Sequence, residues 1–260
     1  MELKLTGRVA VVTGASKGIG LAVTRALVAE GVRVAAGARK VSTGLAELGE
    51  AVLPFAVDLS TPDGPARLID AAVEQFGVLD ILVNNVGAVR PRPGGFLSVT
   101  DDDWTTALTI NLLAAVRTTR AALPHLMARE SSTIVTVCSV NSFLPDPLVI
   151  EYGAAKAALA NFSKALSKEV GPAGVRVNTV SPGPVATDLW LGEHGVASTI
   201  ARARGGAADA IAKQAAGDSV TGRFTRPEEV ADVVLMLASD RSGNVTGADV
   251  VIDGGLVSTL

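Results

Sequence analysis

The sequence predicts an α/β fold in which helices cover both faces of one parallel sheet of seven strands. Short apolar runs alternate along the chain with longer helix-like segments, which is the order typical of β-α-β units. Most runs are continuously apolar, as parallel strands buried on both faces require. The predicted strands are residues 9–12, 32–36, 52–57, 81–84, 133–138, 175–180 and 249–252.

Five helices are predicted between these strands, near residues 18–30, 63–76, 101–129, 151–170 and 227–238. The 101–129 segment is apolar on more than one face, so we expect one side to pack on the sheet and another on a second subunit. The last helix begins at Pro227 and carries two glutamates in its first turn, where proline and acidic residues are favoured.

No internal repeat or interdomain linker interrupts this order, so residues 1–260 are predicted to form a single domain. Residues 188–225 are the one long segment that the sheet does not need. We interpret them as an insertion that covers the substrate, with a small helix around Gly205 and Gly206.

Composition limits the possible functions. Hydrophobic residues make up 48% of the chain and charged residues 19%, which predicts a large core and little disorder. The net charge is -3 without a basic block, which argues against a nucleic-acid partner. Cys138 is the one cysteine, and no apolar run approaches the roughly 18 residues of a membrane span. These features, with no signal-peptide pattern, predict a cytoplasmic protein without a membrane partner.

A glycine-rich loop, TGASKGIG at residues 13–20, joins the first predicted strand to the first helix. Glycines let the backbone turn sharply and let a pyrophosphate approach the N–H groups of a helix N-terminus. The glycines alone fit an ordinary tight turn equally well. The position between strand and helix favours a dinucleotide site.

A second set of residues has the chemistry of proton transfer. Tyr152, the only tyrosine, lies four positions before Lys156 on a predicted helix, so both share one face. Ser139 ends the fifth predicted strand and Asn111 lies in the preceding long helix. A nearby ammonium would stabilise a phenolate and lower the tyrosine pKa from its usual value near ~10.

The glycine spacing, together with Asn111, Ser139, Tyr152 and Lys156 in that order, resembles the short-chain dehydrogenase/reductase family in its compact, Rossmann-type form. The resemblance extends along the whole chain. It implies hydride transfer between a nicotinamide and a ketone or secondary alcohol, with Tyr152 as general acid/base. By the same resemblance, Ser139 binds the substrate oxygen, Lys156 binds the nicotinamide ribose and Asn111 holds a water that relays protons.

The resemblance also indicates the cofactor. Family members specific for NAD usually carry an acidic residue at the end of the second strand, where this chain has Ala38 followed by Arg39. Lys17 adds a cation from the glycine loop, and two cations without a carboxylate suit the 2′-phosphate of NADP(H). The positions matching the family's cofactor-binding residues are Gly14, Ser16, Lys17, Gly18, Ile19, Gly20, Arg39, Asp58, Leu59, Asn84, Val86, Gly87, Tyr152, Lys156, Pro182, Gly183, Val185 and Thr187.

Other reactive residue types are interpreted as structural. Cys138 has no histidine near it in sequence and is predicted to be a small buried residue. His125 and His194 are too far apart for ligand spacing, so no metal site is predicted. The acidic run at residues 101–103 is interpreted as a charge cluster at a helix N-terminus.

The substrate is only broadly indicated. Phe143, Leu144, Trp190 and Leu191 favour a small hydrophobic ketone or alcohol, although Trp190 could equally serve to pack the insertion on the sheet. The C-terminal strand, with Gly247 beside it, matches the family segment that usually helps form a homotetramer, and a homodimer is the alternative.

Two alternative functions remain open. Reduction of a 3-oxoacyl thioester is one; reductases of that kind present basic residues near the ends of two dimer helices. Here residues 171–174 carry no charge, although Arg129 remains, so we favour the simpler ketone. The other is a non-catalytic NADP-binding protein of the same fold, since a fold alone does not determine function.

Overall fold

The computed structural model describes residues 2–258. Its single seven-stranded sheet has the order β3-β2-β1-β4-β5-β6-β7, and every neighbouring pair is parallel. The predicted fold class is therefore confirmed. The strands are β1 (Val9–Thr13), β2 (Arg33–Ala38), β3 (Val52–Ala56), β4 (Ile81–Asn84), β5 (Ser132–Val137), β6 (Val175–Pro182) and β7 (Asp249–Ile252).

Helices cover the sheet on both faces because successive strand residues point to opposite sides. On one face, Val12 of β1 belongs to a buried cluster with residues of the first and last helices. Val11 belongs to the cluster on the other face. The helices are α1 (Gly18–Ala29), α2 (Thr43–Ala46), α3 (Gly64–Phe76), α4 (Asp101–Leu108), α5 (Ala114–Met127), α6 (Ile150–Val170), α7 (Asp188–Leu191), α8 (Val196–Arg204), α9 (Ala208–Gly217) and α10 (Pro227–Ala238). Among the described helices, none is both long and apolar enough to cross a membrane.

Strand positions were predicted well, and the errors lie at the ends. β2 continues to Ala38 because Gly37 and Ala38 keep their register with β3. β6 continues to Pro182, which pairs with Ile252. Cys138, which was predicted to end the fifth strand, lies just beyond it.

The predicted helix over 101–129 is present from Asp101 to Met127, but it is not α-helical throughout. A π-helical turn, Thr109–Leu113, separates α4 from α5. Asn111 lies in this turn, and its Nδ2 donates to the carbonyl oxygen of Ala107 at 3.0 Å. Turns of this kind occur frequently at functional sites, because they redirect a side chain without ending the helix.

The segment between β6 and α10 contains three short helices, α7, α8 and α9, where one was predicted. Gly205 and Gly206 connect α8 to α9 with φ angles of +73° and +128°, which explains the glycine pair. The rings of Trp190 and Phe224 lie 5.4 Å apart between centroids, so Trp190 does pack within this segment.

An ion pair lies at the edge where the parallel strands begin, which we call the amino edge. Arg129 Nε donates to Asp80 Oδ1 at 2.7 Å, and the other carboxylate oxygen accepts the backbone N–H of Val9 at 2.9 Å. The Asp80 side chain is 3% exposed. Both of its oxygens therefore help to join the starts of β1, β4 and β5.

Candidate active site

A cleft of about 1170 Å³ runs along the opposite edge, where the strands end. We call this the carboxyl edge. The glycine loop and the segments after β4, β5 and β6 form its walls, and α7, α8 and α9 contribute one side. Ligands of open α/β sheets bind at this edge, where the strand order reverses between β1 and β4.

The glycine loop depends on the small size and backbone freedom of its glycines, as Gly14 and Gly20 show. Gly14 has a φ angle of +67°, which a side chain disfavours. A Cβ on Gly20 would lie 2.3 Å from the carbonyl oxygen of Gly14. Asn85 Nδ2 supports the loop by donating to the carbonyl oxygens of Thr13 and Gly14, at 2.8 and 3.2 Å.

The two neighbouring asparagines after β4 therefore have different environments. Asn84, which was predicted to bind the cofactor, is 3% exposed and its Nδ2 donates to Thr119 Oγ1 at 3.0 Å, away from the cleft. Asn85, which was not predicted, lines the cleft. Their adjacency at a strand end, where side chains alternate between faces, is the signal that could have separated them.

Cations lie around the end of the cleft near β2. Arg39 lines it, and so does the neighbouring Lys40, which was not predicted. Hydrogen bonds from Ser60 and the charge of Arg39 lower the pKa of Asp58, which keeps this carboxylate ionised. Lys17 also lines the cleft, but its Nζ lies 3.6 Å from Asp188 Oδ2, and both side chains are 71% exposed.

Ser139, Tyr152 and Lys156 line one part of the cleft. Lys156 is 3% exposed, and its Nζ donates to the carbonyl oxygen of Val137 at 2.7 Å. The same Nζ lies 5.9 Å from the centroid of the Tyr152 ring. Burial lowers the pKa of Lys156. The sequence spacing has therefore brought an ammonium and a phenol together beside a serine hydroxyl.

The pKa of Tyr152 differs from the expectation. Burial raises it to about 12, and a hydrogen bond with Ser139 only partly opposes this effect. The predicted net lowering is absent, because burial disfavours the phenolate more strongly than its neighbours favour it. The protein alone thus keeps Tyr152 in its protonated form.

Asn111 acts on the loop that follows β4. Its Nδ2 donates to the carbonyl oxygen of Ala88 at 2.9 Å, and its Oδ1 accepts the N–H of the same residue at 3.0 Å. A Cβ on Gly87 would lie 3.0 Å from that Oδ1 and 3.6 Å from Lys156 Nζ. Asn111 therefore fixes the loop beside Lys156, and its role in a water relay stays a prediction.

Every other predicted cofactor position lines the cleft. After β6, these include Pro182, Gly183, Val185 and Thr187, and a Cβ on Gly18 would lie 3.2 Å from Thr187 Cγ2. The glycine loop and the segment after β6 therefore approach each other across the cleft. Cys138 is 3% exposed, as predicted, and burial raises its pKa to about 12, so its sulfur is a thiol rather than a nucleophile.

Comparison with known proteins agrees with this geometry. A family model described as "Enoyl-(Acyl carrier protein) reductase" matches residues 14–257. The chain belongs to the short-chain dehydrogenase/reductase family. As a short-chain dehydrogenase/reductase, it is an oxidoreductase that acts on CH–OH or C=O groups.

Relatives within this family have several named activities. The cis-4-hydroxycyclohexanecarboxylate dehydrogenase of Sinomonas cyclohexanicum is 37% identical, over 95% of this chain and 96% of its own length. A 3-oxoacyl-(acyl-carrier-protein) reductase of Thermotoga maritima is 32% identical, over 98% and 100%. The L-sorbose reductase of Gluconobacter frateurii, solved with NADPH and L-sorbose, has a TM-score of 0.91 at 32% identity, and each chain is covered over 100%.

Proposed function

We propose that this short-chain dehydrogenase/reductase interconverts a small hydrophobic ketone and its secondary alcohol with NADP(H), using Tyr152 as the general acid and base. The observation that carries the proposal is that Tyr152, Lys156 and Ser139 line the same cleft as the glycine loop. A dinucleotide bound to that loop and reaching along the cleft would bring its nicotinamide to these three side chains.

The residues present fit a dinucleotide. The loop from Gly14 to Gly20 leaves no room for a Cβ at Gly20 and presents the N-terminus of α1 to a diphosphate. Asp58 and Leu59 would hold the adenine, Arg39 and Lys17 the 2′-phosphate, and the remaining predicted positions the nicotinamide half. The bound nicotinamide supplies the hydride in reduction and accepts it in oxidation.

The side chains provide the proton. In reduction, Ser139 donates a hydrogen bond to the substrate oxygen, and the Tyr152 hydroxyl delivers its proton to that oxygen. In oxidation, Tyr152 takes the proton back as a phenolate. Lys156 is placed by the carbonyl of Val137 so that its charge faces the Tyr152 ring. Without a ligand, the raised pKa of Tyr152 disfavours the phenolate. A second positive charge in the filled cleft would stabilise the phenolate further.

The apolar side of the cleft supports a hydrophobic substrate. Leu144, Leu189, Trp190 and Ile200 line it beside Ser139 and Tyr152. The relatives named as sugar or hydroxy-acid enzymes extend the plausible substrates to polar ketones, because Asn141 and Gln214 line the same cleft. The carbonyl chemistry is common to all of them.

A turnover screen tests the proposal. The purified chain is supplied with NADPH and a panel of cyclohexanone, acetophenone, ethyl acetoacetate, L-sorbose and acetoacetyl-coenzyme A, and then with NADH. We expect NADPH oxidation with at least one ketone and a lower kcat/KM with NADH. NADPH binding without turnover on any member would support the non-catalytic alternative instead.

Turnover of acetoacetyl-coenzyme A tests the second candidate function, which is reduction of a 3-oxoacyl thioester. Relatives named 3-oxoacyl-(acyl-carrier-protein) reductases favour it. Against it, the guanidinium of Arg129 is already paired with Asp80, so the one predicted basic residue is engaged within the chain. We therefore expect kcat/KM for acetoacetyl-coenzyme A to fall below that for the best simple ketone.

Three further predictions belong to this proposal. Residues 1–260 form one dinucleotide-binding and catalytic domain, of which residues 1, 259 and 260 lie outside the described part of the chain. The protein assembles as a homotetramer or homodimer. It acts in the cytoplasm on a small-molecule partner. Light scattering of the purified chain and fractionation of the cell would test the last two.

A further inference from the structure

A largely buried ion network includes the residue that immediately precedes the candidate catalytic tyrosine. Arg92 Nε donates to Glu151 Oε1 at 2.5 Å, and a terminal nitrogen of Arg92 forms an ion pair with Asp103 Oδ1 at 2.8 Å. The side chains of Arg92, Glu151 and Asp103 are 12, 3 and 19% exposed. Glu151 immediately precedes Tyr152 in the first turn of α6. The sequence did not suggest this contact, because 59 residues separate its two main partners.

The network joins three elements around the cleft. Arg92 belongs to the loop after β4, Asp103 to the first turn of α4 and Glu151 to the first turn of α6. The backbone N–H of Arg92 also donates to the carbonyl oxygen of Leu148 at 2.7 Å. The loop is therefore attached to the residues before α6 by both its backbone and a side chain.

The attached loop forms part of the cleft wall. Ala88, Val89 and Pro91 line the cleft. Asn111 binds both polar backbone groups of Ala88, and Arg92 is bound at the other end. Val89 and Pro91 therefore lie between two fixed points, one beside Lys156 and one beside Tyr152.

Stability alone does not account for the network. A buried ion pair is often no more stabilising than two well-packed apolar side chains of similar size. Here one oxygen of the carboxylate, Glu151 Oε2, is buried without a hydrogen-bond partner, which adds a cost. The buried Glu151 carboxylate, which lowers stability through this unpaired oxygen, is therefore better explained by the residues that it positions.

We infer that Arg92 and Glu151 are positioning residues that hold the Val89–Pro91 wall against the first turn of α6. This contact determines how far a substrate carbonyl lies from the Tyr152 hydroxyl. The inference rests on the proposed function. A displacement of about 1 Å in such a wall can reduce turnover by about 10²-fold without any loss of cofactor binding.

The test separates positioning from stability by a double-variant cycle. Arg92→Met leaves the Glu151 carboxylate without its partner, Glu151→Met leaves Arg92 paired only with Asp103, and the double variant removes both side chains. Glu151→Gln keeps the shape and one hydrogen bond. Arg129→Met is the control, because it removes the arginine from a second buried carboxylate, Asp80, at the amino edge. For each, we measure Tm, the Kd of NADPH by fluorescence, and kcat and KM with the ketone of highest turnover in the panel.

We expect each single methionine variant at Arg92 or Glu151 to lower Tm and to reduce kcat by about 10- to 100-fold, with the Kd of NADPH within about twofold of wild type. The double variant recovers Tm but not kcat, because apolar partners restore packing without restoring the wall. Arg129→Met lowers Tm and keeps kcat.

Two outcomes overturn the inference. Wild-type kcat in the double variant would show that the pair is only structural, whereas Glu151→Gln, which keeps the hydrogen bond to Arg92, is expected to retain most of the kcat. An equal loss of kcat in Arg129→Met would show a general effect of lost stability. If the single methionine variants do not fold, the double variant decides. Tyr152→Phe in the same assay distinguishes failure of the proposed function from failure of this inference. Full activity of Tyr152→Phe would contradict the proposed function. An inactive Tyr152→Phe together with an unaffected double variant would contradict only this inference.

Discussion

The two edges of the sheet each hold an arginine paired with a buried carboxylate, and the two carboxylates differ in how completely their oxygens are hydrogen-bonded. At the amino edge, both oxygens of Asp80 have partners, Arg129 and the N–H of Val9. At the carboxyl edge, Glu151 has one oxygen bound to Arg92 and one without a partner. Unpaired or shifted polar groups in a folded protein concentrate at functional sites.

Two ionisable groups at the carboxyl edge also have pKa values shifted by burial. Burial raises the pKa of Tyr152 and lowers that of Lys156, so both side chains are biased toward their neutral forms. This is a state that a charged ligand or substrate can change, because opposite charges nearby favour ionisation. We therefore expect variants at the amino edge to change stability and variants at the carboxyl edge to change binding or turnover.

The first comparison between the edges uses two glycines. Gly20→Ala places a Cβ 2.3 Å from the carbonyl oxygen of Gly14, so the glycine loop must move. Overpacking of this kind costs roughly 1–3 kcal/mol, and we expect the Kd of NADPH to rise at least about tenfold. Gly171→Ala, at the amino edge, meets no atom within 4 Å and is the control. Fluorescence titration measures the Kd of NADPH for both variants. Equal Kd values would contradict the claim that only the carboxyl edge binds the cofactor.

A pH effect of similar size follows from Tyr152. Because burial raises its pKa to about 12, the hydroxyl stays protonated near neutrality. Ketone reduction needs this proton and should vary little between about pH 6 and 8, whereas alcohol oxidation needs the phenolate and should rise by up to about tenfold per pH unit. Initial rates in both directions check this. A rate of oxidation that falls as the pH rises would contradict the assignment.

Removing one cation near β2 should affect only one cofactor. Arg39→Gln is expected to raise the Kd of NADPH about 10- to 100-fold, the worth of a charge-assisted hydrogen bond, and to leave that of NADH nearly unchanged. Lys168→Gln, which removes an exposed charge from the last turn of α6, is the control for net charge. Equal losses for both cofactors would mean that Arg39 does not contact the 2′-phosphate.

The smallest expected effect concerns Lys17. Its pair with Asp188 is exposed on both sides, so it contributes little to stability. Asp188→Asn should leave Tm unchanged and tighten NADPH binding by about two- to fivefold, because Lys17 becomes available to the phosphate. Lys17→Gln is the paired variant and should weaken binding. Tighter binding in both variants would exclude Lys17 as a phosphate ligand.

The sequence was sufficient for features whose parts are contiguous or repeat with a period. Buried parallel strands are apolar runs, and the glycine loop and the Tyr152–Lys156 spacing each lie within a few residues. Features that depend on distant partners were missed. Arg92 and Glu151 are remote in sequence, and so are Lys17 and Asp188. The π-helical turn at Asn111 was missed because a one-residue bulge hardly changes an apolar periodicity.

The central claim is that Tyr152 transfers the proton in a site that otherwise binds cofactor normally. The most direct measurement is kcat/KM of Tyr152→Phe with NADPH, beside the Kd of NADPH and the Tm of the same preparation. The account predicts a loss of at least about 10²-fold in kcat/KM, with binding and Tm close to wild type. A variant that binds NADPH and keeps more than about a tenth of the wild-type rate would contradict it.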